Sequence, residues 1–555
     1  MPVNRRDNES GFTMIATVIA MSVLMLLGVV AVAAVNGDTN LTQRDLEQKR
    51  AFEAAKAGID DYSFHLTSNT GYWAQCTGAE EPNALNQQGA SPLKKRTVPG
   101  NTGATYAIEL IPATGQSSCN PATVQTATTS MIETGETLPG SFRIRSIGFA
   151  GKAKASIVAT FKPPSFLDYV YFTQLETLDP VSYGFPNPST ELTKATEQCS
   201  LAWQEGRYEQ PIREVGGKKE YCFKISFATG DRIKGPVHTN DAFAINGTPT
   251  LGRTSQDMVE VGASSPGWYP INGSGDKPNF VGTFVMKAPK LIPPASNSQL
   301  STIAQPAFRY TGQVQICLSG TNMTVTTQAG VCTGGTTTPI PSNGVVYVSN
   351  GTCNEPYSPF TAVYPETSGC GNVYIKGENY SGQLTIAAQN NIIINGNVTR
   401  ASGSSGMLGL IANNFVRIYH PLCKPIAGGG TPTCSTVTAQ KGPNECGEKN
   451  KEGVYEEGVN GAGTLQNVKI DAAILAIEHS IIVDHYDCGN ILGDLNITGA
   501  LAQKFRGPVG TGSNTNPSSG YLKNYVYDDR LHYQEPPSFI DPKPSNWVIG
   551  RETLG

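Results

Sequence analysis

Charge is scarce in this chain. Of 555 residues only 15% are Asp, Glu, Lys or Arg, against roughly 25% in an average soluble domain. Lys+Arg 41 against Asp+Glu 45 leaves a net charge of −4, which provides no global basic field for nucleic acid. Disorder is excluded as well, because a disordered chain needs high net charge and few apolar residues, and 39% of this one is apolar. Histidine is equally sparse at 6. No H-E-x-x-H, G-x-S-x-G or Walker A sequence occurs; Gly151-Lys152 is followed by alanine. The 12 cysteines include no C-x-x-C pair, the spacing with which structural zinc sites usually close.

What is plentiful is Gly 60 and Pro 37, about 11% and 7% against typical values of about 7% and 5%. That composition suits many short strands and turns. The length exceeds one ordinary core and implies two or three structural units. The even cysteine count reads as disulfides formed outside the cytosol. Neighbour pairing would join Cys76–Cys119, Cys199–Cys222, Cys317–Cys332, Cys353–Cys370, Cys423–Cys434 and Cys446–Cys488, with Cys446 an alternative to Cys434 as the partner of Cys423.

The stretch from Phe12 to Val35 has no charge. At ~1.5 Å per residue it makes a helix of ~36 Å, long enough to cross a bilayer with some tilt. Arg5 and Arg6 precede it, favouring a cytoplasmic N-terminus with the bulk outside. Ala31-Val32-Ala33 also matches a signal-cleavage site. No proline occurs between Phe12 and Leu66. Phe52, Ala55, Ile59, Tyr62 and Leu66 recur at helical spacing, opposite Arg50, Glu53, Lys56 and Asp60. Asn36-Gly37-Asp38 marks a place where such a helix would bend.

Glu9-Ser10-Gly11-Phe12-Thr13-Met14-Ile15 resembles a class III prepilin leader, and Leu41 to Gly58 is similar to the segment after the membrane helix of PilX-like minor pilins. The resemblance implies cleavage by a prepilin peptidase after Gly11 and methylation of Phe12 as the new first residue. Major pilins of this pattern carry a glutamate at the fifth mature position, where this chain has Ala16. That carboxylate pairs with a neighbouring subunit's amino terminus, so its absence fits a tip or initiating subunit, onto which nothing docks. It fits equally a membrane protein that never enters a filament. The segments at 165–180, 235–249 and 520–539 are similar to a large uncharacterised domain that accompanies PilX-like N-termini.

Residues 69–163 read as a small β-rich head with strand-like runs at 141–149 and 155–161, and Pro163-Pro164 marks its end. Between about 343 and 505, Ile/Val-rich runs such as NVYI (372–375), QLTIAA (383–388) and NIIING (391–396) are separated by Gly/Asn turns. Their close spacing leaves no room for intervening helices and predicts the rungs of a solenoid or the strands of a sandwich. Asn390, Asn391, Asn395 and Asn413 fall at the turns, where left-handed geometry suits asparagine. The insertion 420–463 reads as a loop on one edge.

Individual polar residues offer candidate chemistry. His238, beside Asn240 and Asp241, could serve as a base or ligand, though anchoring a turn is the commoner role. Asp484, His485 and Asp487, the Asp528-Asp529 pair near Arg530 and His532, and Asn272, Ser274 and Asp276 are candidate cation sites that read equally as turn caps. Asp471 lies inside an apolar run, and with Asp484 or Asp494 it could form the carboxylate pair of a glycan-cleaving groove.

The expected fold class is α+β dominated by β, with a β-sandwich as the alternative to the solenoid. It comprises a leader at 1–11, a membrane and pilin-type helix at 12–68 and a pilin-like head at 69–163. A disulfide-rich β domain follows at 164–555, its β-solenoid core about 343–505. The resemblance implies a non-enzymatic minor pilin of a type IV pilus or related pseudopilus, without cofactor or metal, presenting its β domain for assembly initiation, adhesion or uptake. The expected partners are other pilins, a prepilin peptidase, the membrane before assembly, and a surface glycan, host or DNA ligand. The expected location is the cytoplasmic membrane as a single-pass precursor, then the cell surface or filament tip. A membrane-anchored polysaccharide hydrolase or lyase is the alternative.

Overall fold

The computed structural model describes residues 10–68, 72, 87, 92–100, 103–116, 131–133, 141–162, 164–183, 185, 188–353, 357–360, 362, 364, 369–423, 459–460, 463–512, 517–532, 534–542 and 548–554, with side chains in the first helix at 14–30 and 42–68. The chain divides into two units. One is Met1–Pro163 with Asn546–Gly555, and the other is Pro164–Ser545. The last ten residues, expected in the large β domain, thus belong to the first unit.

Unit 1 is a helix, α1 (Ser10–Ser68), packed on an antiparallel sheet. The sheet runs β1 (Arg96–Thr97), β2 (Thr105–Ile111), β3 (Phe142–Ala150), β4 (Ala153–Lys162) and, as its fifth strand, Val548–Leu554. Unit 2 is therefore inserted in the chain between two neighbouring strands of the unit 1 sheet. Along β3 the side chains facing the helix shrink from Phe142 and Ile144 to Ser146, Gly148 and Ala150. The helix answers with Tyr62 and Ile59 at the wide end and Gly58, Ala55 and Ala51 at the narrow one. A Cβ on Gly148 would meet the Ala51 carbonyl oxygen at 1.9 Å, and the Ser146 hydroxyl donates to the Ala55 carbonyl at 2.7 Å. The imperfect alternation of β3 is the signature of this close approach. Tyr62, Phe142 and Phe161 fill the wide end with ring centroids 5.2–6.3 Å apart.

The expected membrane helix requires correction. Among the described residues no helix is long and apolar enough to cross a membrane. The fold class is accordingly corrected to a predominantly β protein without a demonstrated membrane span.

Unit 2 is a coil of stacked parallel strands. On one face the order is Arg309–Thr311, Val345–Ser349, Gln383–Ala388, Met407–Ala412, Lys469–Ala476 and Ile491–Arg506, and then β5 (Tyr171–Leu178), Val237–Thr239, Met258–Val261 and Thr283–Met286. Every pairing in this series is parallel. A second face carries Val314–Ser319, Val373–Tyr380, Ile392–Arg400, Val416–Ile418 and Ile481–Val483. Stacking identical faces buries their Ile, Val and Leu residues in one continuous core.

The coil therefore extends well beyond the expected 343–505, and its chain order is permuted. The chain enters at β5 in the middle and winds outward to Thr283–Met286. It then crosses to the other end at Arg309 and winds back until Ile491–Arg506 docks on β5. At this joint Leu501 faces Tyr171, Ala502 faces Phe172 and Gln503 faces Thr173. No local sequence pattern announces a pairing between segments so far apart.

The turn asparagines also play a different part from the one expected. None of Asn390, Asn391, Asn395 or Asn413 has positive φ. Instead, side-chain amides bond from rung to rung: Asn390 Nδ2 donates to Asn372 Oδ1 at 2.8 Å and Asn414 Nδ2 to Asn390 Oδ1 at 2.6 Å.

Candidate functional site

Two regions could carry function, one in each unit. In unit 1, α1 is split by its surroundings. Ala51, Ala54, Ala55, Ile59, Tyr62 and Leu66 are buried by the sheet, whereas Met14–Val30 stands exposed, Met25 at 77% and Leu26 at 66%. Ala16 lies in this exposed stretch. Gly11 and Phe12 lie in the helix backbone, and the Phe12 side chain falls outside the described residues. An exposed apolar surface of this size marks a site of interaction with protein or membrane.

In unit 2, the joint between the two halves of the coil gathers buried charge. The Arg506 guanidinium donates to Glu176 Oε2 at 2.8 Å and lies 3.7 Å from the centre of the Phe227 ring. Glu176 also accepts from the Tyr171 hydroxyl at 3.1 Å and from Thr173. Lys523 Nζ reaches Asp231 Oδ2 at 2.8 Å, and at the more exposed rim Arg232 reaches Asp494 at 2.6 Å. Asp179 accepts from His479 Nδ1 at 2.9 Å. Each pair joins the half before residue 290 to the half after it. Burial lowers the pKa of Lys523, against the opposing pull of Asp231. Beside these pairs lies a cleft of about 300 Å³, bordered by Phe223–Ser226 on one side and Pro508–Gly512 on the other, with Lys523 and Asp231 in its wall.

The candidates read from the sequence are dispersed. His238 is buried, with Nδ1 2.9 Å from Glu260 and Nε2 3.1 Å from Asn240, and its ring stacks on Phe172. Burial opposes the charge of Glu260, but the hydrogen bond and charge of His238 outweigh it and lower that pKa. Asp241 is locked between Arg207 and the backbone amides of Glu176 and Trp203. Asp484 takes a two-point contact from Arg417 at 3.0 and 2.9 Å and accepts the hydroxyls of Tyr357 and Tyr364. Burial lowers the His485 pKa to about 4.

The other carboxylates are likewise engaged, each with its own partner. Asp471 accepts from the Arg400 amide at 3.0 Å, and Asp494 is the partner of Arg232. Asp528 and Asp529 pair with Arg530 and Arg253, and His532 packs edge-on against Tyr527. Asp276 caps a loop, accepting from the amides of Gly247, Ile271 and Asn272. These geometries describe structural anchoring. Among the described residues no group of three His, Cys, Asp or Glu gathers as a metal site.

Disulfides join Cys199–Cys222, Cys317–Cys332 and Cys353–Cys370, and Cys488 is also bonded. Cys76, Cys119, Cys434, Cys446 and the Cys423 side chain lie outside the described residues. Sequence reasoning missed Glu176, Arg417 and Arg506. A signal was present for Arg417, which interrupts the apolar run at 415–418 as Asp471 interrupts its own, whereas Glu176 and Arg506 lie in strands of mixed polarity.

No protein-family model matches the chain, and no curated protein matches it. Among solved structures it is similar to the competence-associated pilin ComZ from Thermus thermophilus, at 13% identity and a TM-score of 0.27, over 92% of this chain and 97% of that one. A likeness at that TM-score carries no weight for fold or function.

Proposed function

We propose that the chain is a pilin-like subunit that joins other pilins through α1 and displays the coil of unit 2. The observation that supports this reading is the division of α1. Its second half is locked onto the sheet, while Met14–Val30 presents apolar side chains that no other described residue covers. Such a stretch is stable only when neighbouring apolar surface removes it from water, at ~25 cal/mol per Å², and bundled helices of other subunits supply that surface.

The Gly11-Phe12 junction adds a processing site for a prepilin peptidase, with Phe12 as the methylated first residue. Ala16 leaves no carboxylate for a subunit stacked beyond this one, which favours the tip. Disulfides favour an oxidising setting for unit 2, and on the cell surface or a filament it would serve assembly initiation, adhesion or uptake.

Mass spectrometry of the native mature N-terminus tests the proposal. A methylated Phe12 is the expected result. Cleavage near Ala33, or an intact Met1, would overturn it. Purified filaments containing this chain at the abundance of a major subunit would remove the tip assignment while leaving the pilin reading intact.

A further inference from the structure

The two ends of the unit 2 coil are built differently. At one end Val314–Ser319, Asn322–Thr326 and Thr336–Pro339 fold back as antiparallel strands, tied by Cys317–Cys332. At the other end the last rung holds Asn279–Phe280 and Thr283–Met286, whose registers among the described residues run only to Thr250–Leu251 and Met258–Val261. A terminal repeat needs a polar outer face to stay soluble. Here Val281 and Met286 are exposed, and Met258 is exposed one rung earlier. Phe284 and Met286 stand in register with the buried Val259 and Val261, so they continue the interior column of the coil into open solvent. The half-buried rings of Phe280 and Phe284 stack at 4.2 Å beside them.

The backbone is open there too. The Thr283 amide donates to the Asp257 carbonyl at 2.8 Å, and the Asn279 and Val281 amides to Pro249 and Leu251. Because backbone groups alternate along a strand, these bonds turn the amides and carbonyls of Phe280, Phe284 and Met286 outward. The charge of the rung has one sign. Lys277 and Lys287 are exposed, while Asp276 is buried with its carboxylate bonded to three backbone amides.

We propose that this end of the coil is a docking edge for an extended segment of a partner protein. That segment would be apolar at alternate positions, would carry carboxylates at its ends, and would add one strand beyond Thr283–Met286. Main-chain hydrogen bonds supply affinity in this mode and alternate side chains supply selectivity. A second copy of the chain is disfavoured as the occupant, because edge-to-edge pairing would bring the lysines of both copies together.

The test uses the full chain and two labelled synthetic peptides of alternating valine and threonine, one flanked by aspartates and one by lysines, followed by fluorescence anisotropy. The aspartate-flanked peptide should bind saturably, at least tenfold more tightly than the lysine-flanked one. Met286→Pro removes an outward amide without touching the inward ladder and should weaken binding at least tenfold. Amide protection at Val259 and Val261 checks that the coil stays folded in that variant. The double variant Lys277→Glu, Lys287→Glu should reverse the preference between peptides. No saturable binding, equal binding of both peptides, or binding unchanged by Met286→Pro in a folded chain would overturn the proposal. So would a dimer in sedimentation that Met286→Pro dissolves, which would make a second copy the occupant.

Discussion

Arg506 and Glu176 are 330 residues apart in the chain and meet in a buried ion pair at 2.8 Å. They sit at the joint where the end of one half of the coil stacks on the start of the other. Among the described residues no disulfide joins the two segments at this rung. Strand pairing between Ile491–Arg506 and β5, together with the ion pairs around it, closes the coil.

Removing one partner alone leaves the other charge buried and uncompensated. Arg506→Met should destabilise unit 2 by about 3–5 kcal/mol. The double variant Arg506→Met, Glu176→Leu should recover much of that loss, because neither residual charge remains. Urea unfolding of the wild type, both single variants and the double variant reads the coupling. Additive losses would show that the pair is not the closing contact.

Gly148 lets α1 approach the sheet of unit 1, and an added Cβ would lie 1.9 Å from the Ala51 carbonyl oxygen. Gly148→Ala should therefore push the helix outward and cost about 1–3 kcal/mol, the range for overpacking. Hydrogen exchange at residues 51–66 should accelerate. Unchanged protection there would mean that the helix accommodates the methyl group elsewhere.

His485 is buried, and burial lowers its pKa from about 6.5 to about 4. The unfolded chain binds this proton first. Stability is thus fully present above about pH 6.5 and falls as the pH drops toward 4, by on the order of 2–3 kcal/mol. His485 has φ of 50°, a conformation asparagine tolerates. His485→Asn should flatten the slope of the urea midpoint between pH 6.5 and 4, and an unaltered slope would assign the titration to other groups.

The Cys317–Cys332 bridge closes a hairpin with a sequence separation of 15. By chain entropy such a loop contributes about 3 kcal/mol. Cys317→Ala with Cys332→Ala should lower the stability of this end of the coil by about 2–3 kcal/mol. Amides of Asn322–Thr326 should lose protection before those of the middle rungs. Uniform loss across unit 2 would show that the coil unfolds as one block.

The sequence by itself determined the features whose causes are local. The spacing of Ala55, Ile59, Tyr62 and Leu66 defines the buried stripe of α1, because helical side chains repeat every 3.6 residues. The short Ile/Val runs between 372 and 396 define strands, because apolar β-branched residues bounded by turns have few other stable arrangements. The apolar run at the N-terminus is legible as a chain segment that needs cover, and its length alone suggested a membrane span that the described helix does not demonstrate.

Tertiary structure alone decided the permuted order of the coil, the return of Val548–Leu554 to the first sheet, and the partners of the buried charges. These depend on contacts between residues hundreds of positions apart. Asp484 illustrates the difference. As a letter it offered a catalytic carboxylate, and only the arrival of Arg417 from the neighbouring rung and of Tyr357 and Tyr364 from the loop before Val373 made it a structural anchor. Pairing of that kind is set by which strands stack, a property that no window of sequence contains.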